Sequence, residues 1–156
     1  MSVTLSYKVL IIEGEHMNIP ALMGALALTA LAAPAFAQNA DVTVTLTGVE
    51  ARGGQILASL AGPDTFMRGE PEHSARAQVA AGTVTVTFRN VPAGDWALMV
   101  MHDENSNGEF DMNGYMPAEG YAFSNLSGPL MGMPTFAAHK VVVGADTTID
   151  APMIYP

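Results

Sequence analysis

Oxygen-bearing side chains fall at alternate positions in the stretch His102-Asp103-Glu104-Asn105-Ser106-Asn107-Gly108-Glu109-Phe110-Asp111. Asp103, Asn105 and Asn107 supply hard oxygen donors, Gly108 permits a sharp turn, and the Glu109 carbonyl and Asp111 follow. That alternation is how a short loop wraps ligands around Ca²⁺. Laid against an EF-hand, Asp103 takes the first ligand position, and the twelfth, which holds a bidentate Glu there, is Gly114. The loop is therefore not an EF-hand, and Asp111 or the more distant Glu119 must close the shell. Two neutral Asn ligands and no bidentate Glu predict weak binding, with Kd on the order of 10⁻⁴–10⁻³ M. Magnesium, with its stricter octahedral demand, suits the pattern less well. The same residue types also make metal-free turns, and Asn107-Gly108 alone is a hairpin signal.

Four other chemistries can be written from the sequence. His102, Asp103, Glu119 and Ser124 contain the parts of a hydrolase, with His102 as base, a carboxylate as orienter and Ser124 as nucleophile. No nucleophile-elbow pattern surrounds Ser124, however, and His102 can equally serve to hold the neighbouring loop on the frame. Thioethers could bind Cu(I) together with His102 or His139, and Met131 and Met133 form the closely spaced pair outside a strand. Met99 and Met101 lie in an apolar strand and read as gap-fillers of the core. Tyr115, Tyr121 and Phe123, with Asn125, could make a surface that grips a peptide or a sugar, or could pin a long loop in place. Lys140 and an Asn could form an isopeptide bond by fold analogy alone. Nothing in the chain suggests an organic cofactor.

The elements that position these residues are strands. Val42, Val44 and Leu46 alternate with Thr43, Thr45 and Thr47, and the same period recurs at Ile56, Ala58 and Leu60 and at Val84, Val86 and Phe88. A turn at residues 91–95 leads into the continuous apolar run Trp96-Ala97-Leu98-Met99-Val100-Met101, which suits a central strand. Residues 75–79, 138–143 and 147–155 complete the set. The expectation is all-β: a single antiparallel β-sandwich of about seven strands, immunoglobulin- or transthyretin-like. Two connections are long, residues 61–74 and 103–135, and the second reads as one long ordered loop with a function.

Residues 17–37 read as a signal peptide: an apolar run at 21–33, then Ala35-Phe36-Ala37 as a small-x-small cleavage site before Gln38. Residues 1–16 read as a mis-annotated start, because Glu13-Gly14-Glu15-His16 is what a translated ribosome-binding site before Met17 would give. The mature chain 38–156 is the size of one domain, periplasmic or secreted, with no stable membrane span after processing. It carries five basic and thirteen acidic residues, a net charge of −8 with His neutral. That balance argues against nucleic acid as a partner and is compatible with divalent cations. With no cysteine, disulfides, thiolate metal sites and thiol catalysis are excluded together.

Several motifs occur in order: Val91-Pro92-Ala93-Gly94-Asp95-Trp96-Ala97, the 102–111 stretch, Met116-Pro117-Ala118-Glu119-Gly120-Tyr121, Phe123-Ser124-Asn125 and Pro134-Thr135-Phe136. Together they resemble the domain-of-unknown-function family 2141 (DUF2141), small exported bacterial proteins, over nearly the whole mature chain. The departures are Trp96 for Tyr, Ala122 for Gly, and Tyr115-Met116 for Gly-Ile, none at an oxygen-ligand position. The resemblance implies an exported β-sandwich whose activity is undetermined. The reading is thus a non-catalytic binding or accessory module of the cell envelope, its partner an envelope protein, peptide or carbohydrate. The alternatives are a hydrolase on His102 with Asp103 and Glu119, or a Met/His copper-binding protein.

Overall fold

Period-two alternation of Val and Leu with Thr buries one face of a strand and wets the other. In the computed structural model, which describes residues 38–156, it produces β1 (Ala40–Val49), with Val42, Val44 and Leu46 fully buried. β2 (Gln55–Ala61) and β4 (Gly82–Val91) follow the same rule, and β3 (His73–Gln78) follows it less fully. β5 (Gly94–Asp103) is the apolar run. Then come the short β6 (Met112–Asn113) and β7 (Met116–Pro117), β8 (Gly120–Phe123), a single helical turn α1 (Phe136–His139), β9 (Lys140–Val143) and β10 (Thr147–Pro152). The leader expected at 17–37 and the alternative start at 1–16 lie outside the described residues.

The strands form a sandwich. One sheet has the order β10-β1-β4 and the other β3-β2-β5-β8, with β9 pairing the first half of β5 beside β8. Inward residues of both sheets make the main core, among them Val44, Leu46, Ile56, Leu60, Val86, Phe88, Leu98 and Ile149. A second, smaller cluster of Phe66, Tyr121 and Phe123, with Leu130 and Phe136 against it, lies under the loops that flank the larger sheet. No helix of the described residues is long and apolar enough to cross a membrane.

The all-β sandwich expected from the periodicity is present, with four differences of detail. β1 and β10 pair in parallel, while the other pairings are antiparallel. The segment 103–135, expected as one loop, contributes β8 to the larger sheet. All four residues of β8 are buried, so no alternation marks it in the sequence. Ala138 and His139, expected in a strand, close the helical turn that precedes β9. Met99 and Met101 do not enter the main core between the sheets, although Met99 packs against the second cluster. Strand parity turns them to the outer face of the larger sheet, half-buried, while Leu98 and Val100 face inward.

Candidate functional site

β5 ends by delivering two adjacent polar residues to opposite faces of its sheet. His102 and Asp103 are both fully buried. Alternation assigns His102 to the core side and Asp103 to the side that the following loop covers.

Asp103 organises that loop. Its Oδ1 accepts the backbone N–H of Asn107 at 3.0 Å, and its Oδ2 accepts that of Gly108 at 3.1 Å and the Gln55 side-chain amide at 2.9 Å. Burial by itself would push the Asp103 carboxyl up. The hydrogen bonds from Gln55, Gly108, Asn107 and Ser106 outweigh it and hold the group below the usual Asp value. Asn105 Oδ1 accepts the Asn107 N–H at 2.9 Å, and Asn107 Oδ1 accepts the Glu109 N–H at 2.7 Å. These two-residue side-chain turns coil the segment, with Ser106 and Gly108 at positive φ. The coil brings three expected ligands together: the Asn105 and Asn107 amides both donate to the Asp111 carboxylate, at 2.6 and 3.1 Å. Glu109 stays exposed beside them.

Glu119, the residue expected to close the shell, is engaged with the loop backbone. Its Oε1 accepts the N–H of Glu104 at 2.9 Å and its Oε2 that of Asp111 at 3.4 Å, so one nearly buried carboxylate clamps both ends of the loop. Among the described residues no three acidic, His or Cys side chains converge as a metal-holding group. The expected side-chain ligands of the loop are the Asp103 and Asp111 carboxylates and the neutral Asn105 and Asn107 amides, and the expected set also draws on the Glu109 backbone carbonyl.

His102 is committed on both ring nitrogens. Nε2 lies 2.7 Å from the Gly53 carbonyl, which can only accept, so Nε2 carries the proton. Nδ1 then accepts from the Tyr155 hydroxyl at 2.9 Å, and that hydroxyl accepts the Glu50 N–H at 3.0 Å. Burial pushes the Tyr155 phenol up, which keeps it a donor. His102 therefore ties the β1–β2 connection and the C-terminus to the sandwich, rather than the long loop. Ser124 is equally fixed. Its Oγ donates to the His139 carbonyl and accepts the Leu98 N–H, while His139 Nδ1 donates to the Ser124 carbonyl. His102, Glu119 and Ser124 do not form a relay.

The expected aromatic surface is not gathered. Tyr115 stands 99 % exposed in the turn between β6 and β7, whereas Tyr121 and Phe123 are buried and pack edge-on against each other and against Phe110 and Phe66. The Asn125 amide donates to the Lys140 carbonyl, and the Lys140 ammonium pairs with Asp95 on the surface, so Lys140 and Asn125 are not placed for a cross-link. Met131 and Met133 are exposed on the segment after β8, both ring nitrogens of His102 are engaged elsewhere, and His139 Nδ1 donates to the Ser124 carbonyl.

Sequence reasoning missed the supports of the loop, which arrive from far along the chain. Gln55 reaches Asp103 because β2 registers Gln55 opposite it. Gly54 is required by close approach: a Cβ there would lie 1.9 Å from the Asp103 carbonyl oxygen. Arg52 bonds Glu104 at 3.3 Å and lies over the Tyr155 ring, 4.5 Å from its centroid. The sequence signal that could have found them is the Gly53-Gly54 pair, a turn marker just ahead of Gln55.

The family model described as "Uncharacterized protein conserved in bacteria (DUF2141)" matches residues 44–150, from within β1 to within β10. The chain belongs to the DUF2141 family. The match takes in both sheets, the 103–111 loop, its Glu119 clamp and the Ser124–His139 bridge of this DUF2141 protein. No curated protein and no solved structure gave a match that adds a relative.

Proposed function

We propose that this protein is an exported, non-catalytic binding or accessory module of the cell envelope, whose 103–111 loop is ordered by Ca²⁺. The observation that carries the cation reading is the convergence of the Asn105 and Asn107 amides on the Asp111 carboxylate in a loop coiled around buried Asp103. Each amide oxygen keeps a second lone pair beyond the N–H it accepts. A small swing turns those oxygens, instead of the NH₂ groups, toward Asp111. The result is an oxygen-only pocket that a hard cation holds together. With two carboxylates and neutral partners, the affinity belongs to the weak extracellular class of about 10⁻⁴–10⁻³ M. The non-catalytic reading is supported by His102 and Ser124, whose polar atoms are engaged in structural hydrogen bonds.

Calcium at ten times Kd stabilises a binding fold by about 1.4 kcal/mol, roughly 4–8 °C in Tm for a domain this size. Adding millimolar Ca²⁺ to EDTA-treated protein therefore raises Tm, and Asp111→Ala removes the rise. Asp111 is the residue to change because Asp103 also holds the loop without metal. A wild-type Tm indifferent to calcium sinks the cation reading. Export is read separately: the protein recovered outside the cytoplasm begins at Gln38 by intact mass, and a product that keeps residues 17–37 speaks against it.

A further inference from the structure

The outer face of the larger sheet carries a groove that none of the readings above uses. Its floor is two cross-strand rungs fixed by register: Arg76, Leu57 and Met101 in one, and Ser74, Ser59 and Met99 in the next. Phe123 extends the second rung on β8. One wall is the β2–β3 connection, where Met67 sits at φ 58, and the other is Phe110 with Gly108 from the 103–111 loop. The cavity measures about 510 Å³ and is mostly apolar, a size and character suited to one small molecule.

Among the described residues, Arg76 is the only charged side chain lining this cavity. The other cations of the described chain set it apart. Arg52, Arg89 and Lys140 each pair with a carboxylate, whereas Arg68 and Arg76 pair with none among the described residues. Of these two, Arg76 lines the groove, and Arg68 neighbours the lining residues Met67 and Gly69 without lining the cavity itself. Glu70, Glu72 and Glu109 also neighbour lining residues but do not line the cavity themselves. In a protein of net charge −9, an uncompensated guanidinium over an apolar floor selects an anion with an apolar body. Met67, Met99 and Met101 add three thioethers, which adapt in shape and make favourable contacts with aromatic rings.

We propose that this groove binds a small aryl carboxylate, with Arg76 receiving the carboxylate, Met67, Met99 and Met101 enclosing the ring, and Ser59 and Ser74 lying along the floor. The proposal rests on the binding-module reading and gives it a ligand class, and the cation enters only through the wall that Gly108 and Phe110 supply. The test is calorimetric titration of the protein with hydrocinnamate and with the uncharged hydrocinnamyl alcohol, each in calcium and in EDTA. Wild type binds both saturably at one site and prefers the acid. Arg76→Gln abolishes that preference, weakening the acid roughly three- to tenfold and sparing the alcohol. Ser59→Phe fills the floor and removes both ligands. Met67→Ser, at an exposed wall position where folding is not at risk, weakens both. Binding in EDTA as well as calcium supports the groove as a site of its own, and binding in calcium alone supports it with a wall that the ordered loop supplies. Absence of saturable binding in both media overturns it, as does an acid preference unchanged in Arg76→Gln or wild-type binding by both Ser59→Phe and Met67→Ser. Hydrocinnamate binding without a calcium shift in Tm removes the cation reading alone.

Discussion

The Asp103 carboxylate is fully buried and accepts hydrogen bonds from Asn107, Gly108 and Gln55, so its ionised form is stabilised by the fold. Its folded pKa lies below the ordinary 3.8, so on acidification the unfolded chain takes up the proton first. The stabilisation is therefore present above that value and is lost as pH falls from 3.8 through the lower folded pKa. Asp103→Asn should cost about 1–3 kcal/mol at neutral pH, with the deficit against wild type shrinking below pH 3.8. Urea unfolding of both proteins at neutral and acid pH measures this. Glu72 is also held low, first by its hydrogen bond from Thr65, and it acidifies equally in the two proteins, so the difference between them isolates Asp103. A deficit of constant size across pH would mean that the carboxylate charge is not what the loop needs.

At the scale of elements, β8 decides how the segment after β5 is held. It pairs with the second half of β5, bridges to Ile154 through Tyr121, and places Gly120 against the Tyr155 ring. A Cβ on Gly120 would lie 2.3 Å from the nearest ring carbon, so the ring that serves His102 and the Glu50 N–H has to move. Gly120→Ala is expected to lower stability by about 1–3 kcal/mol. Gly128→Ala, where no atom lies within 4 Å of the added Cβ, should stay within about 0.5 kcal/mol of wild type. Midpoints of urea unfolding for the pair check the claim, and equal midpoints would show that the Tyr155 ring yields at no cost. Glu119, just before β8, fixes the loop to this strand by accepting the N–H groups of Glu104 and Asp111.

For the whole molecule, the loop and the groove share a wall, because Gly108 and Phe110 belong to the first and line the second. Phe110 stacks edge-on against buried Tyr121, centroids 6.4 Å apart, which seats that wall on the sheet. If Ca²⁺ stiffens the loop, hydrocinnamate meets a better-formed wall, and linkage requires the reverse effect of equal size. Calcium titrations with and without hydrocinnamate should differ in Kd by about fivefold, a coupling of about 1 kcal/mol. Identical calcium affinities in the two titrations would mean that the wall is already rigid without the ion.

The sequence by itself determined the β-sandwich, because burying one face of a strand writes a period of two into Val42, Val44 and Leu46 and into Val84, Val86 and Phe88. It also determined the family and the 103–111 motif, since local turns are encoded by neighbouring Asn, Asp and Gly. It did not disclose β8, whose Gly-Tyr-Ala-Phe is covered on both faces and so carries no alternation. Nor did it show which face Met99 and Met101 occupy: a continuous apolar run is the same on either reading until the partners are known. Only tertiary structure decided that Gln55 supports Asp103, that Tyr155 fixes His102, and that Arg76 reaches a groove floored by Leu57 and Met101. Those pairings join residues far apart in the chain. Their meeting depends on strand register and packing, which no local pattern of residues encodes.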